Sequence, residues 1–243
     1  MLFPELQAAE GVVMTLTRGV YSTSLAEWMI AGILYFEKQI SRLMTQKAEH
    51  KWEKFTIGEM RGKTMVIVGY GDIGRVCAQR AKGMGIARVV GVRRTTRSEG
   101  DGIADEIIGN EHLLTALPMA DYVVLVLPLT AQTKKSFGER ELGVMKPTAL
   151  FINIGRGATV DDDALIAALR THRIRGAALD VFHPEPLPAT SPLWDLENVL
   201  ISPHCADVYD GWLPDAVEVI RENVDCFIHG KPLKFIANKT DGY

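Results

Sequence analysis

Strand-length apolar stretches alternate with amphipathic stretches along most of this chain. The apolar stretches are rich in Val, Ile and Leu, which predicts strands that are buried on both faces. The predicted strands cover residues 63–68, 88–92, 106–108, 121–126, 149–153, 176–180 and 198–201. The predicted helices cover 22–47 (capped by Ser22 or Ser24), 73–84, 110–117, the stretch from its cap Asp161 to 171, and 214–229. This alternation predicts an α/β fold with a doubly wound parallel sheet and helices on both faces.

The turn after the first predicted strand carries a G-x-G-x-x-G motif made by Gly69, Gly71 and Gly74. Gly69 allows a tight turn, Gly71 lets a pyrophosphate approach the backbone, and Gly74 lets helix and strand pack closely. The following helix N-terminus offers unpaired N–H groups and a positive dipole end to phosphates. With a strand before it and a helix after it, the motif predicts a Rossmann-type dinucleotide site that also includes Asp72 and Ile73.

The end of the second predicted strand indicates which dinucleotide is bound. An NAD site usually has an Asp or Glu about 20 residues beyond the motif to accept the ribose hydroxyls. At that point the sequence has Arg93, Arg94 and Thr95, and no carboxylate. Guanidinium groups bind phosphates through charge-assisted hydrogen bonds, so the pattern favours the 2′-phosphate of NADP, with NAD as the alternative cofactor. The competing interpretation is a solvated basic turn.

Composition excludes several other classes of protein. The 243 residues are 47% hydrophobic and 23% charged, with a formal net charge of −3 and no long basic run, so we expect neither nucleic acid nor an anionic membrane as a partner. No apolar run reaches the ~20 residues of a membrane span. The three cysteines, Cys77, Cys205 and Cys226, form no C-x-x-C pair, which indicates reduced thiols in the cytoplasm, with an organelle as the alternative.

Three polar residues follow the carboxyl ends of later predicted strands, where ligands bind in open α/β sheets. They are Arg156, Glu185 and His204. Reduction of a 2-oxo acid needs a cation for the carboxylate and carbonyl, and an acid that protonates the forming alkoxide. Arg156 and His204 suit these tasks, and Glu185 beside the histidine would fix its tautomer and favour its protonated form. Each could instead be structural, and His183 is a rival base.

A metal site is a further alternative for this cluster, because His183, His204, Cys205 and Glu185 are all metal-ligating types. Their spacing matches no established ligand pattern, so no metal site is predicted.

Several motifs in order resemble the D-isomer-specific 2-hydroxyacid dehydrogenase family over nearly the whole chain. The motifs are Gly69-Tyr70-Gly71-Asp72-Ile73-Gly74, Leu127-Pro128-Leu129-Thr130, Asn153-Ile154-Gly155-Arg156-Gly157, Leu179-Asp180-Val181-Phe182, Glu185-Pro186-Leu187 and Ser202-Pro203-His204. The resemblance implies that Arg156 anchors the substrate, that Glu185 partners the histidine and that His204 is the general acid/base. It also implies cofactor contacts at Asp180, Leu127, Pro128, Thr133 and Ile154.

The resemblance also sets expectations for domains and assembly. It implies a dinucleotide-binding domain over 19–208, a remnant of an N-terminal substrate domain over 1–18, and a C-terminal helix and tail over 209–243 that returns toward that domain. Because the family has a larger substrate domain before the point where this sequence starts, we expect cofactor binding with poor turnover or none. Members pair through the first long helix, which implies a homodimer. Besides the shorter N-terminal region, the sequence differs from the family pattern at Cys205-Ala206-Asp207, where Ala-Gly is commoner.

We therefore expect an oxidoreductase that uses NADPH to reduce a small 2-oxo acid, with glyoxylate or hydroxypyruvate as the substrate. The alternative from another class is a non-catalytic nucleotide-binding or corepressor-like module.

Overall fold

A seven-stranded parallel sheet forms the centre of the molecule in the computed structural model, which describes residues 4–94 and 100–239. Its strands are β1 Thr64–Val68, β2 Arg88–Arg93, β3 Glu106–Gly109, β4 Tyr122–Leu125, β5 Leu150–Asn153, β6 Gly176–Leu179 and β7 Val199–Ile201. They lie in the order β3-β2-β1-β4-β5-β6-β7 and every neighbouring pair is parallel. The predicted doubly wound α/β fold is thus confirmed, with its switch point between β1 and β4.

Each central strand contributes alternate side chains to two separate cores. In β1, Met65 and Ile67 pack on the face covered by the helices after residues 22 and 72, whereas Val66 and Val68 pack on the opposite face. All four side chains are buried. Because both faces are covered, the strands are almost continuously apolar, and this is why they could be recognised as short apolar stretches.

Helices connect the strands and cover the sheet. They are α1 Pro4–Ala8, α2 Ser22–Glu37, α3 Ile40–Ala48, α4 Asp72–Gly83, α5 Leu113–Ala116, α6 Glu139–Val144, α7 Asp162–Arg170 and α8 Trp212–Ile228. Asp161 occupies the N-cap position of α7, as predicted. The helix predicted over 110–117 is α5 flanked by short 3₁₀ turns, and α1 and α6 were not predicted.

The prediction of a single helix over 22–47 is wrong, because the chain forms two helices there, α2 and α3. Gln39 takes a left-handed conformation with φ of 49°, which ends the α-helical geometry between the two pieces. Its side-chain Nε2 donates to the carbonyl of Thr56 at 2.7 Å, a tertiary contact that holds the bend.

The serines predicted to cap the first long helix have a different role. Tyr21 is the N-cap residue of α2, and no side chain caps that end. The hydroxyl of Ser22 donates to Asp72 Oδ2 at 2.6 Å, and the hydroxyl of Ser24 donates to the carbonyl of Ala206 at 2.6 Å. Both serines therefore fasten α2 to the loops at the carboxyl edge of the sheet.

The segment before α2 pairs with the segment after α8. Thr15 forms an antiparallel bridge with Ile236, and backbone hydrogen bonds join Leu16 to Phe235 and Ala237 to Met14. In the described parts of the chain, no helix has both the length and the apolar character needed to cross a bilayer.

Candidate functional site

The glycine-rich turn between β1 and α4 has the shape that a pyrophosphate needs. Gly69 has φ of 98°, and a Cβ there would lie 2.5 Å from the carbonyl oxygen of Val126. Gly74 packs against the carbonyl of Gly69 in a similar way. A Cβ on Gly71 would meet no atom within 4 Å, so the turn is open on the side where a ligand approaches the N-terminus of α4. The described residues therefore fit a dinucleotide.

Asp72 and Ile73, also predicted to bind the cofactor, direct their side chains elsewhere. The carboxylate of Asp72 accepts the hydroxyl of Ser22, and Ile73 packs at the edge of the core under α2 and α4. These two residues stand at the start of α4, where the first N–H groups of a helix have no partner within the helix. The groups that these two residues could offer an anion are therefore their backbone N–H groups.

The predicted 2′-phosphate residues lie beside this turn. Arg93 is the last residue of β2, half-buried and in register with Gly109 of β3, and Arg94 follows it on the surface. Thr95 lies outside the described residues. The two arginines thus stand at the carboxyl end of the strand next to the glycine-rich turn, where the adenosine ribose of a dinucleotide lies in this fold.

An anchor that the sequence did not indicate joins the glycine-rich turn to the segment before β3. Tyr70 is buried, and its hydroxyl donates to the carboxylate of Asp101 at 3.1 Å. Arg75 of α4 forms an ion pair with the same carboxylate, and the N–H groups of Ile103 and Ala104 donate to it. Burial opposes ionisation of Asp101, but these hydrogen bonds and the arginine hold its pKa below the usual range. Burial raises the pKa of Tyr70 to about 12.

The loop after β4 lies at the same sheet edge as the glycine-rich turn. Leu127 and Pro128, which the resemblance marked as cofactor contacts, are half-buried at the strand end. The hydroxyl of Thr133 donates to the carbonyl of Pro128 at 2.6 Å and accepts the N–H of Thr130 at 2.8 Å. The Thr133 side chain therefore fixes the conformation of the loop after β4 through hydrogen bonds within that loop.

Arg156 stands on a tightly built turn after β5. The buried Asn153 accepts the N–H of Gly155 at 3.0 Å, and the hydroxyl of Thr159 donates to the carbonyl of Arg156 at 2.6 Å. A Cβ on Gly155 would lie 2.8 Å from the backbone of Leu127. Ile154, another predicted cofactor contact, is buried behind the turn and bonded to β4. These contacts fix the main chain and leave the Arg156 side chain exposed at the sheet edge.

The Arg156 turn touches the loop that carries Glu185. A Cβ on Gly157 would lie only 2.0 Å from the main chain of Phe182. The N–H of Phe182 in turn donates to Glu185 Oε1 at 2.8 Å, which leaves the second carboxylate oxygen available to another partner. The structure thus brings the turn of Arg156 and the loop of Glu185 together.

That second oxygen meets His204. Glu185 Oε2 lies 2.7 Å from His204 Nδ1, and about one-third of each side chain is exposed, with relative areas of 35% and 37%. His204 has φ of 52°, and its N–H points to the carbonyls of Asp180 and Ser202. A carboxylate on Nδ1 fixes the tautomer that presents Nε2 as the proton-transfer atom.

Asp180 holds the loop that carries His204. The residue is 1% exposed, and its Oδ1 accepts the N–H groups of Cys205 at 3.0 Å and Ala206 at 3.2 Å and the hydroxyl of Ser202. Burial raises the pKa of Asp180, an effect that these hydrogen bonds and His204 only partly offset. In this structure the carboxylate anchors the loop, a role that the sequence did not reveal.

The rival base His183 faces a cavity whose lining includes neither Glu185 nor His204. This cavity of about 250 Å³ lies between the 182–193 loop and α7, and Asp162 and Pro192 also line it. Burial raises the pKa of Asp162 to about 6. Across residues 4–94 and 100–239, no group of three or more His, Cys, Asp or Glu side chains is arranged to hold a metal ion.

Comparison of the sequence with known proteins gives a consistent result. Residues 30–206 match the family model described as the D-isomer specific 2-hydroxyacid dehydrogenase, NAD binding domain. The chain is 35% identical over 240 residues to a glyoxylate reductase of Thermococcus litoralis, an alignment that covers 94% of this chain and 71% of the relative. It is 37% identical over 204 residues to glyoxylate/hydroxypyruvate reductase B of Pectobacterium atrosepticum, covering 80% and 62% of the two chains.

Solved structures agree with this. A D-isomer specific 2-hydroxyacid dehydrogenase from Xanthobacter autotrophicus Py2, in complex with NADPH and MES, superposes with a TM-score of 0.85 at 31% identity and 98% coverage of both chains. An NADPH-dependent glyoxylate/hydroxypyruvate reductase from Sinorhizobium meliloti, in complex with NADP and sulfate, superposes with a TM-score of 0.85 at 27% identity, covering 96% of this chain and 74% of that one.

Proposed function

Because the chain belongs to the D-isomer specific 2-hydroxyacid dehydrogenase family, we propose that it reduces a small 2-oxo acid to the D-2-hydroxy acid with NADPH as the hydride donor. The observation that carries the proposal is the 2.7 Å contact between His204 and Glu185 at the same sheet edge as the glycine-rich turn. The names of the relatives favour glyoxylate or hydroxypyruvate as the substrate.

The side chains divide the chemistry among themselves. NADPH supplies the hydride when it is bound. His204 donates the proton that the forming alkoxide needs, and Glu185 holds the imidazole with Nε2 toward the substrate. The Arg156 guanidinium binds the substrate carboxylate and stabilises charge that develops on the carbonyl oxygen. The Gly69–Gly74 turn and the N-terminus of α4 hold the pyrophosphate, and Arg93 and Arg94 hold the 2′-phosphate.

Replacement of the proposed acid tests the assignment. In His204→Gln we expect kcat to fall by about 10²–10⁴, the usual contribution of a general acid, while the Kd for NADPH stays the same. His183→Gln is the matched control, because His183 is a nearby histidine that faces α7. Equal losses in both variants would contradict the role of His204. NADPH binding without reduction of any 2-oxo acid would contradict the reductase and support the nucleotide-binding module.

Replacement of Arg93 tests the cofactor preference. Hydrogen bonds to charged groups contribute about 1.5–3 kcal/mol each, so NADPH should bind at least about tenfold more tightly than NADH. Arg93→Asp should reverse this order, because a carboxylate repels the 2′-phosphate and accepts ribose hydroxyls. Calorimetry with both nucleotides measures the two Kd values. Equal Kd values for NADPH and NADH in the unmodified chain would refute the assignment.

We also propose that the protein is a cytoplasmic homodimer that pairs through the α2–α3 region. Three exposed apolar side chains after the Gln39 bend support the dimer and its interface. Leu43, Met44 and Trp52 are 45%, 66% and 94% exposed in the single chain. Apolar surface of this kind is typical of protein interfaces. Light scattering on the purified chain should give twice the 26.8 kDa chain mass. Met44→Lys should shift the protein toward the monomer, and a monomeric unmodified chain would overturn the proposal.

A further inference from the structure

The glycine-rich turn contains a negative charge at a place where a dinucleotide brings more. Asp72 directly follows the open Gly71 and is the first residue of α4. A pyrophosphate bound at that helix N-terminus carries negative charge of its own. Like charges a few ångström apart weaken binding, so the position of the Asp72 carboxylate affects the affinity of this site for any dinucleotide.

A buried hydroxyl donates a hydrogen bond to that carboxylate. Ser22 is 3% exposed, and its hydroxyl, which has one hydrogen to donate, lies 2.6 Å from Asp72 Oδ2. The two residues are 50 positions apart in the sequence, so the bond joins α2 to the glycine-rich turn. Arg75, three residues further along α4, is ion-paired with Asp101 on the other side of the turn. The described contact of the Asp72 carboxylate is thus with α2.

We propose that Ser22 is a positioning residue for the cofactor: it holds the Asp72 carboxylate against α2 and away from the pyrophosphate. The inference rests on the proposed function, since it concerns the same nucleotide site. Through this bond the N-terminal turn of α2 has a role beyond packing, because it fixes where the Asp72 charge lies at the start of α4.

The effect of Ser22 has a distinctive signature. NADPH and NADH share the pyrophosphate and differ at the 2′-position, so loss of the Ser22 bond should weaken both nucleotides by the same factor. Replacement of Arg93 should instead change the ratio between them. Titration of both nucleotides into each variant therefore separates an effect at the pyrophosphate from an effect at the 2′-phosphate.

Calorimetric titration of the full chain with NADPH and with NADH tests the proposal. In Ser22→Ala we expect both Kd values to rise about fivefold, the factor that one unit charge about 4 Å away contributes in water. The increase should shrink as salt is raised. Ser24→Ala is the matched control: it removes a bond of equal length, 2.6 Å, from the same helix turn, but that bond ends on the carbonyl of Ala206. We expect its Kd values to stay at the level of the unmodified chain.

The double variant gives the decisive comparison. Asp72→Asn removes the charge and should tighten binding of both nucleotides, and Ser22→Ala added to Asp72→Asn should then have no further effect. If Ser22→Ala does not fold, Ser22→Cys supplies a weaker donor of similar size and should move both Kd values in the same direction.

Two results would overturn the inference while leaving the proposed function standing. One is a loss of affinity in Ser22→Ala that persists in the Asp72→Asn background. The other is an equal loss in Ser22→Ala and Ser24→Ala. Failure of the unmodified chain to bind either nucleotide would instead overturn the proposed function.

Discussion

The buried carboxylate of Asp180 offers a test of how the His204 loop is built. Its Oδ1 is the common acceptor for the N–H groups of Cys205 and Ala206 and for the Ser202 hydroxyl. Asp180→Ala removes this acceptor completely, whereas Asp180→Asn keeps an oxygen that can take the same three bonds. The pair of variants therefore separates the acceptor from the charge.

The expected magnitudes follow from these contacts. A buried donor without a partner costs about 1–3 kcal/mol, so three donors left without Asp180 should lower the free energy of unfolding by about 3–5 kcal/mol in Asp180→Ala, allowing for non-additivity. Since burial raises the pKa of Asp180, ionisation of the carboxylate is not itself favoured by the fold. Asp180→Asn should therefore lose no more than about 1 kcal/mol.

Urea unfolding at neutral pH measures the stabilities, and steady-state assays measure the consequence for the site. We expect kcat to fall in Asp180→Ala because the His204 loop is displaced, and to recover largely in Asp180→Asn. The Kd for NADPH should stay constant in Asp180→Asn. A free energy of unfolding for Asp180→Ala within 1 kcal/mol of the unmodified chain would refute this reasoning. Weaker NADPH binding at unchanged kcat would show that Asp180 serves the cofactor instead.

Two further predictions concern stability. Gly157→Ala places a methyl group against the main chain of Phe182, so the free energy of unfolding should fall by about 3 kcal/mol or more. In the control Gly143→Ala, in α6, the added methyl group meets no atom within 4 Å, so the stability should stay the same or rise by up to about 1 kcal/mol. Equal stabilities of the two variants in urea unfolding would contradict this. The pKa of Asp162 is raised from its ordinary value of 3.8 to about 6 in the folded protein. The contribution of this side chain to folding stability is therefore fully present below pH 3.8, where the carboxyl is protonated, and is lost as the pH rises through 6. Asp162→Asn should therefore stabilise the protein by about 1 kcal/mol at pH 7.5, because solvent screens this partly exposed group, and by little near pH 4; a pH-independent gain would contradict the assignment.

The sheet could be predicted because strands buried on both faces leave a continuous apolar record in the sequence. The break between α2 and α3 could not, because Gln39 is not a residue type that marks a left-handed bend. Its conformation is held by a tertiary hydrogen bond to Thr56, which has no local pattern. The same limit applies to Ser22 and Ser24, which look like helix caps in the sequence but bond to distant loops.

The proximity of Glu185 and His204 was predictable because parallel strands end at one edge of the sheet, and residues that follow neighbouring strands meet there. The anchors that hold these residues were not. Asp180 lies 25 residues from Cys205, and its role depends on burial and on backbone donors rather than on a motif. The hydroxyl of Thr133 likewise turned out to hold the Pro128 loop, which only its contacts reveal.

The turn that carries Arg156 is enclosed by main-chain atoms on both sides, and this limits which amino-acid substitutions the protein tolerates there. A side chain at position 155 or 157 would clash with main-chain atoms. A substitution elsewhere can shorten a side chain but cannot remove main-chain atoms, so it cannot relieve this clash. Arg93 and Arg94, in contrast, stand at a strand end, where Arg93 is half-buried, Arg94 is exposed and neither belongs to the apolar cores. A mutational library that randomises positions 93 and 94 should stay folded and can be selected for a new nucleotide, whereas one that includes 155 or 157 should be mostly lost. If Arg93 and Arg94 hold the 2′-phosphate as proposed, nucleotide preference can change at this strand end while the Arg156 turn keeps its structure.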